Sequence, residues 1–239
     1  MKNLFCLLLI LLSATGVWGQ MEDFRWMDYQ SAGNRINGKI TGTKYNYAFR
    51  GNLNYFYQAD WYPGTIETPD REIHSGYNLR YDAFNDELVA LNTRVKGLFS
   101  VDKYLVTAFT VDVPGEGSQT FRKLQLDEFQ KQEHFFQVLY EGKVTLLSRI
   151  RITEHKTGAY KNKLGALDDR EYKLNQLLYL VKADGSYRFF SPGRKSILNL
   201  FPEQKRELRQ LFRHYFTDDF SPEGMPGIIK LLEQENFLK

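Results

Sequence analysis

Four histidines and two groups of carboxylates are the side chains of this chain best suited to chemistry. His74, His134, His155 and His214 are far apart, and none has a second histidine or a cysteine at a metal-ligand spacing. Asp82, Asp86 and Glu87 gather near one turn, and Asp168, Asp169 and Glu171 near another. Two carboxylates held roughly 5 to 9.5 Å apart can hydrolyse a glycosidic bond. The same residues are common in turns, where they accept backbone hydrogen bonds, so both clusters also read as ordinary loop chemistry. The sequence has no glycine-rich phosphate loop, nucleophile elbow or HExxH pair. Gly115 and Gly117 belong to a Pro-Gly turn with no following helix to aim amides at a phosphate. These residues specify no catalytic group, no metal and no cofactor.

The other candidate for recognition is aromatic. Tyr45, Tyr47, Phe49, Tyr55, Phe56, Tyr57, Trp61 and Tyr62 crowd into a short stretch. Such rings stack on sugars and other flat apolar surfaces, although strands also favour aromatics and bury them in a core. Tyr55, Tyr57, Trp61 and Tyr62 are the residues of this stretch to examine as ligand contacts. The polar stretch from His155 to Tyr172 reads as a long loop and is the second candidate contact region.

The start of the chain bears on where these residues act. Lys2, the apolar run Leu4 to Leu12 and the Val17-Trp18-Gly19 sequence read as an export signal cleaved before Gln20. The apolar run is shorter than the ~20 residues that cross a bilayer, so no transmembrane segment is expected after signal removal. Cys6 is the only cysteine and lies inside this run, away from a lipidation position. Cleavage would leave a chain with no thiol for a disulfide, metal or nucleophile. Without Lys2 the chain keeps 31 basic residues against 29 acidic. That near-balance gives no electrostatic reason to expect nucleic acid as a partner.

The elements that must position these residues are mainly strands. Phe135 to Thr153 reads as a hairpin turning at Glu141-Gly142, with glycine supplying a positive φ. A two-residue loop pairs Leu139 with Val144, Val138 with Thr145 and Phe136 with Leu147. Alternation then places Leu139, Val144, Leu146, Ile150 and Ile152 on one face, with Phe136, Val138, Thr145 and Leu147 on the other. Asp184-Gly185 marks a second hairpin, with the signature of a type I′ turn. Thr65 to Thr68, Ile73 to Tyr81, Glu87 to Thr93 and Tyr104 to Val111 are further strands. Phe121 to Gln132 reads as a strand running into a helical turn. After Ser191-Pro192-Gly193, apolar residues recur at spacings of three and four, which predicts amphipathic helices divided near Pro202. The final helix is predicted to begin near Gly227. Residues 1–19 form the signal, 20–60 an irregular aromatic and polar arm, 61–190 an antiparallel β domain and 191–239 its helical part. The fold class is α+β: a mainly antiparallel meander, sandwich or partly closed barrel with C-terminal helices packed on it.

WYPGTI at Trp61 to Ile66, LRYDAFNDEL at Leu79 to Leu88, YEGKVTLL at Tyr140 to Leu147 and SILNLFPEQKREL at Ser196 to Leu208 together resemble a group of exported bacterial envelope proteins of uncharacterised function. The resemblance runs from about Trp61 onward. It implies an envelope location and a strand-rich domain with a helical tail, and it assigns no active-site residue. The reading that follows is a non-catalytic binding or interaction domain in the periplasm, at the outer membrane or outside the cell, with an envelope protein or glycan as partner. The alternative is an envelope hydrolase acting on polysaccharide or peptidoglycan through loop carboxylates.

Overall fold

Alternation of buried and less buried side chains, as over Tyr77, Leu79 and Tyr81, marks the described strands. In a computed structural model, residues 35–37, 40–45, 55–92, 97–126, 132–161, 165, 167–215 and 219–238 are described. They form strands β1 (Arg35–Asn37), β2 (Ile40–Lys44), β3 (Tyr62–Glu67), β4 (Ile73–Asp82), β5 (Glu87–Asn92) and β6 (Gly97–Val101). Next come β7 (Ala108–Val113), β8 (Gly117–Leu124), β9 (His134–Glu141), β10 (Val144–Lys161), β11 (Leu167–Lys182) and β12 (Tyr187–Phe190). Helices α1 (Arg194–Leu200), α2 (Lys205–Tyr215) and α3 (Met225–Gln234) follow. The fold is α+β, as expected. Every pairing is antiparallel, in the order β1-β2-β6-β5-β4-β3-β7-β8-β9-β10-β11-β12. Among the described residues no helix is long and apolar enough to cross a membrane. The signal segment, Tyr47 and Phe49 lie outside the described residues.

The sheet does not close, yet it curls far enough to wrap a core. Ile152 of β10 donates its backbone N–H to the carbonyl of Ala83, just past β4, at 3.0 Å. Four strands stand between β4 and β10 in the sheet order. Inside the curl, Tyr81, Phe109, Phe121 and Phe135 are each almost fully buried. Phe109 and Phe121 stack with ring centroids 4.6 Å apart and planes 8° from parallel. Aromatic rings fill this space because each covers a large area with few rotatable bonds.

A second core lies under the helices. Val144, Leu146, Leu178 and Leu180 meet Ile197, Leu208, Phe212, Ile228, Ile229 and Leu232. The three-and-four spacing of those helical residues lets one stripe of each helix face the sheet. Fully burying an aliphatic side chain of this size contributes roughly 1.5–3 kcal/mol. On the opposite face Phe136, Leu147 and Tyr179 form a smaller cluster.

The faces of the central hairpin follow the predicted alternation, but its register does not. Thr145 pairs with Glu141, Leu146 with Tyr140 and Leu147 with Val138, so Leu139 is an extra residue on β9. This bulge turns both Leu139 and Tyr140 toward the helical core. Gly142 is also not required for a positive φ. Its role is close approach, because an added Cβ would lie 2.6 Å from Glu233 Oε2. Glu233 of α3 accepts the Val144 N–H at 3.0 Å and the Tyr140 hydroxyl at 3.0 Å. A helix therefore holds this turn. At Asp184-Gly185 only the glycine has positive φ, 81°, so the turn is not type I′. Gly185 follows Asp184, which accepts the Ser186 N–H at 2.8 Å.

Three other segments differ from expectation. His155 to Tyr172 is not a loop: β10 and β11 continue through it, pairing His155 with Glu171 and Lys156 with Arg170. The ribbon extends past the sheet, and its described side chains at His155, Lys156, Asp169 and Glu171 are exposed. Its polar composition reflects two wet faces. Part of the supposed arm is sheet, since β2 pairs with β6 through Gly42–Val101 and Lys44–Phe99. Strand β6 itself carries no clear alternation, and the Lys103–Leu105 stretch is a single 3-10 turn ahead of β7. At the C-terminus α3 starts at Met225, slightly earlier than expected, after Ser221 Oγ accepts the Gly224 N–H at 3.2 Å.

Candidate functional site

The aromatic segment before β3 is held by backbone pairing along β4. Tyr57 N–H bonds the Tyr81 carbonyl at 2.9 Å, and Ala83 N–H bonds that of Tyr55 at 2.8 Å. Arg80 Nη2 donates to the Gln58 carbonyl at 2.7 Å. Gln58 turns its side chain inward, where Oε1 accepts the Tyr81 N–H at 2.8 Å. This anchoring divides the four candidate aromatics. Tyr55 is core, packed against Phe84 and Tyr172 with centroids 4.9 and 5.7 Å away. Trp61 lies edge-on to Phe56 at 5.6 Å, with the Arg80 guanidinium over both rings. Tyr57 and Tyr62 are half-buried and line a groove of about 640 Å³.

Distant parts of the chain complete this groove. The β7–β8 turn contributes Glu116, β8 contributes Ser118 and Gln119, and β9 contributes Gln137, Val138 and Leu139. Gln176 of β11 and Pro222-Glu223 ahead of α3 lie on the remaining sides. An amide relay links interior to rim. Gln58 Nε2 donates to Gln119 Oε1 at 3.1 Å, and Gln119 Nε2 donates to Glu116 Oε2 at 2.9 Å.

Tyr57 is the centre of the groove's electrostatics. Burial pushes its phenol above the ordinary range, and the carboxylates of Glu223 and Glu116 push it further, while a hydrogen bond from Gln137 acts the other way. The Gln137 side chain is buried, and its Oε1 has no partner among the described residues. Ser148, its register partner on β10, has a buried Oγ that also lacks one. Unmet hydrogen-bonding capacity in a native interior is uncommon and calls for water or ligand. The groove thus combines two tyrosine rings, several amides and two carboxylates, with no lysine, arginine or histidine among its described lining residues.

The carboxylates singled out in the sequence have other tasks. Asp82 is fully buried and accepts the Phe84 and Asn85 N–H groups at 2.9 Å, the Asn85 amide at 2.8 Å and the Tyr45 hydroxyl at 2.6 Å. Glu87 accepts the Ser100 hydroxyl at 2.8 Å. Asp86, at φ 59°, accepts from Tyr81 Oη at 2.7 Å, Lys103 Nζ at 2.6 Å, His134 Nδ1 at 2.8 Å and Phe135 N–H at 3.2 Å. A carboxylate can only accept, so Nδ1 of His134 carries a proton. Its Nε2 is buried without a partner among the described residues. Asp86, His134, Arg149 and Tyr81 line a cavity of about 190 Å³, whose described walls hold neither a second carboxylate nor a serine, threonine or cysteine. Asp169 and Glu171 lie on the exposed β11 ribbon instead. The side chain of Asp168 lies outside the described residues. His74, His155 and His214 are placed elsewhere, near Glu72, Thr153 and Tyr215.

The glutamines and the two glutamates of the groove carry no sequence signal, being spread from Gln58 to Glu223 without a common spacing. Neither family models, curated proteins nor solved structures show a match to this chain.

Proposed function

We propose that this chain is an exported, non-catalytic binding domain of the bacterial cell envelope, and that it takes its ligand in the groove lined by Tyr57 and Tyr62. The observation that carries the reading is the groove itself: two half-buried rings beside a buried Gln137 oxygen that no described residue satisfies. Rings supply flat apolar contact, and fixed amides supply orientation, which is how polar ligands are held in concave sites. Export is supported by the charged start, apolar run and small-residue site of the first 19 positions. The motifs from Trp61 onward support kinship with exported envelope proteins.

Capture from envelope extract tests the binding reading. Wild-type protein should retain an envelope glycan or protein, and the Tyr57→Ala/Tyr62→Ala variant, checked for folding by circular dichroism, should lose at least most of it. Equal capture by the two proteins would remove the groove from consideration. Export is tested by intact mass: a mature chain beginning at Gln20 is expected, and a product retaining Cys6 or carrying lipid would contradict it.

A further inference from the structure

We infer that the groove selects an amine-bearing glycan, an inference that rests on the groove being the binding site. The charged side chains on its described walls, Glu116 and Glu223, are both anionic and exposed at the rim. They face Tyr57 closely enough to disfavour its phenolate, so negative charge borders the ring. Gln137 lines the groove, and its buried Oε1 has no partner among the described residues. The groove therefore has acceptors and negative charge to spare. Its complement is a ligand rich in donors and carrying positive charge.

The walls also suit a sugar. Tyrosine rings and amide groups meet the two needs of a sugar ring, an apolar face to stack on and hydroxyls to bond. Amino groups on such a sugar would pair with Glu116 and Glu223 at the rim.

Calorimetric titration of the mature protein with three soluble oligosaccharides of equal length tests this: one of glucosamine, one of glucose and one of galacturonic acid. The glucosamine chain should bind about tenfold more tightly than the glucose chain, the size expected of two partly screened ion pairs. The acidic chain should bind most weakly, and added salt should narrow the spread. Glu116→Gln/Glu223→Gln should erase the amine preference, bringing the glucosamine and glucose chains to equal affinity. Tighter binding of the acidic chain, an amine preference that survives in the double glutamine variant, or no binding of any of the three would overturn the inference. So would a lysine-rich peptide that outcompetes the glucosamine chain. The groove reading fails separately, if Tyr57→Ala/Tyr62→Ala leaves extract capture unchanged.

Discussion

His134 and Asp86, 48 positions apart in the chain, meet at 2.8 Å and fasten the β4–β5 turn to the start of β9. Asp86 sits in the left-handed region and gathers donors from Tyr81, Lys103 and the Phe135 backbone as well. The carboxylate thus closes one end of the curl in the sheet. A charge so placed is stabilising only while its donors remain, because each donor satisfies part of its lost hydration.

Asp86→Asn should destabilise the protein by about 2–3 kcal/mol, the range for losing charge-assisted hydrogen bonds at a partly buried site. His134→Ala should be milder, and the double variant should cost less than the sum, since the two share one interaction. Urea denaturation of all three would show this. Strict additivity would mean that the pair is not coupled.

Leu146→Asp should be severe, costing at least about 3 kcal/mol or abolishing folding, because Leu146 is fully buried against the helices and a carboxylate there would have no partner. Arg149→Ala, on the opposite face and half-buried, should cost about 1 kcal/mol. Similar melting temperatures for the two would contradict the face assignment of β10.

Gly64→Ala should destabilise by more than the roughly 1–3 kcal/mol usual for overpacking. The added Cβ would fall 2.3 Å from the Thr110 carbonyl oxygen and 2.7 Å from Leu79 Cδ1. The first is backbone in the next strand and cannot turn aside. A variant as stable as wild type by thermal melt would show that β3 and β7 separate more easily than their pairing implies.

Stability should fall as pH rises above about 10. Burial, then the charge and hydrogen bond of Asp86, push the Tyr81 phenol well above its ordinary 10.0. Below that pH the phenol is neutral folded and unfolded, so it contributes no slope. Above it the unfolded chain releases the proton while the folded chain keeps it, and stability declines. Tyr81→Phe should be less stable at neutral pH but decline less steeply between pH 10 and 11. Tyr57 and Tyr77 are raised too, chiefly by burial, so some slope should remain. Denaturation midpoints across that range provide the check, and identical slopes for variant and wild type would count against the assignment.

Local pattern was enough to read much of the architecture. Alternation in Val144 to Ile152 and the three-and-four spacing of Leu208, Leu211 and Phe212 report directly which face is buried, because one side of each element must leave water. The strands, the helical tail and the α+β class follow from such patterns. Where the environment rather than the residue type decides, the pattern fails. The β10–β11 ribbon reads as a loop because it is wet on both faces, and no residue type announces the bulge at Leu139. The site depends most on tertiary structure. Tyr57 was visible in the chain, but nothing local could place Glu116, Gln137, Gln176 and Glu223 around it. Only the curl of the sheet and the docking of the helices bring those residues to one groove, since their proximity is a property of how faces pack and not of any spacing along the chain.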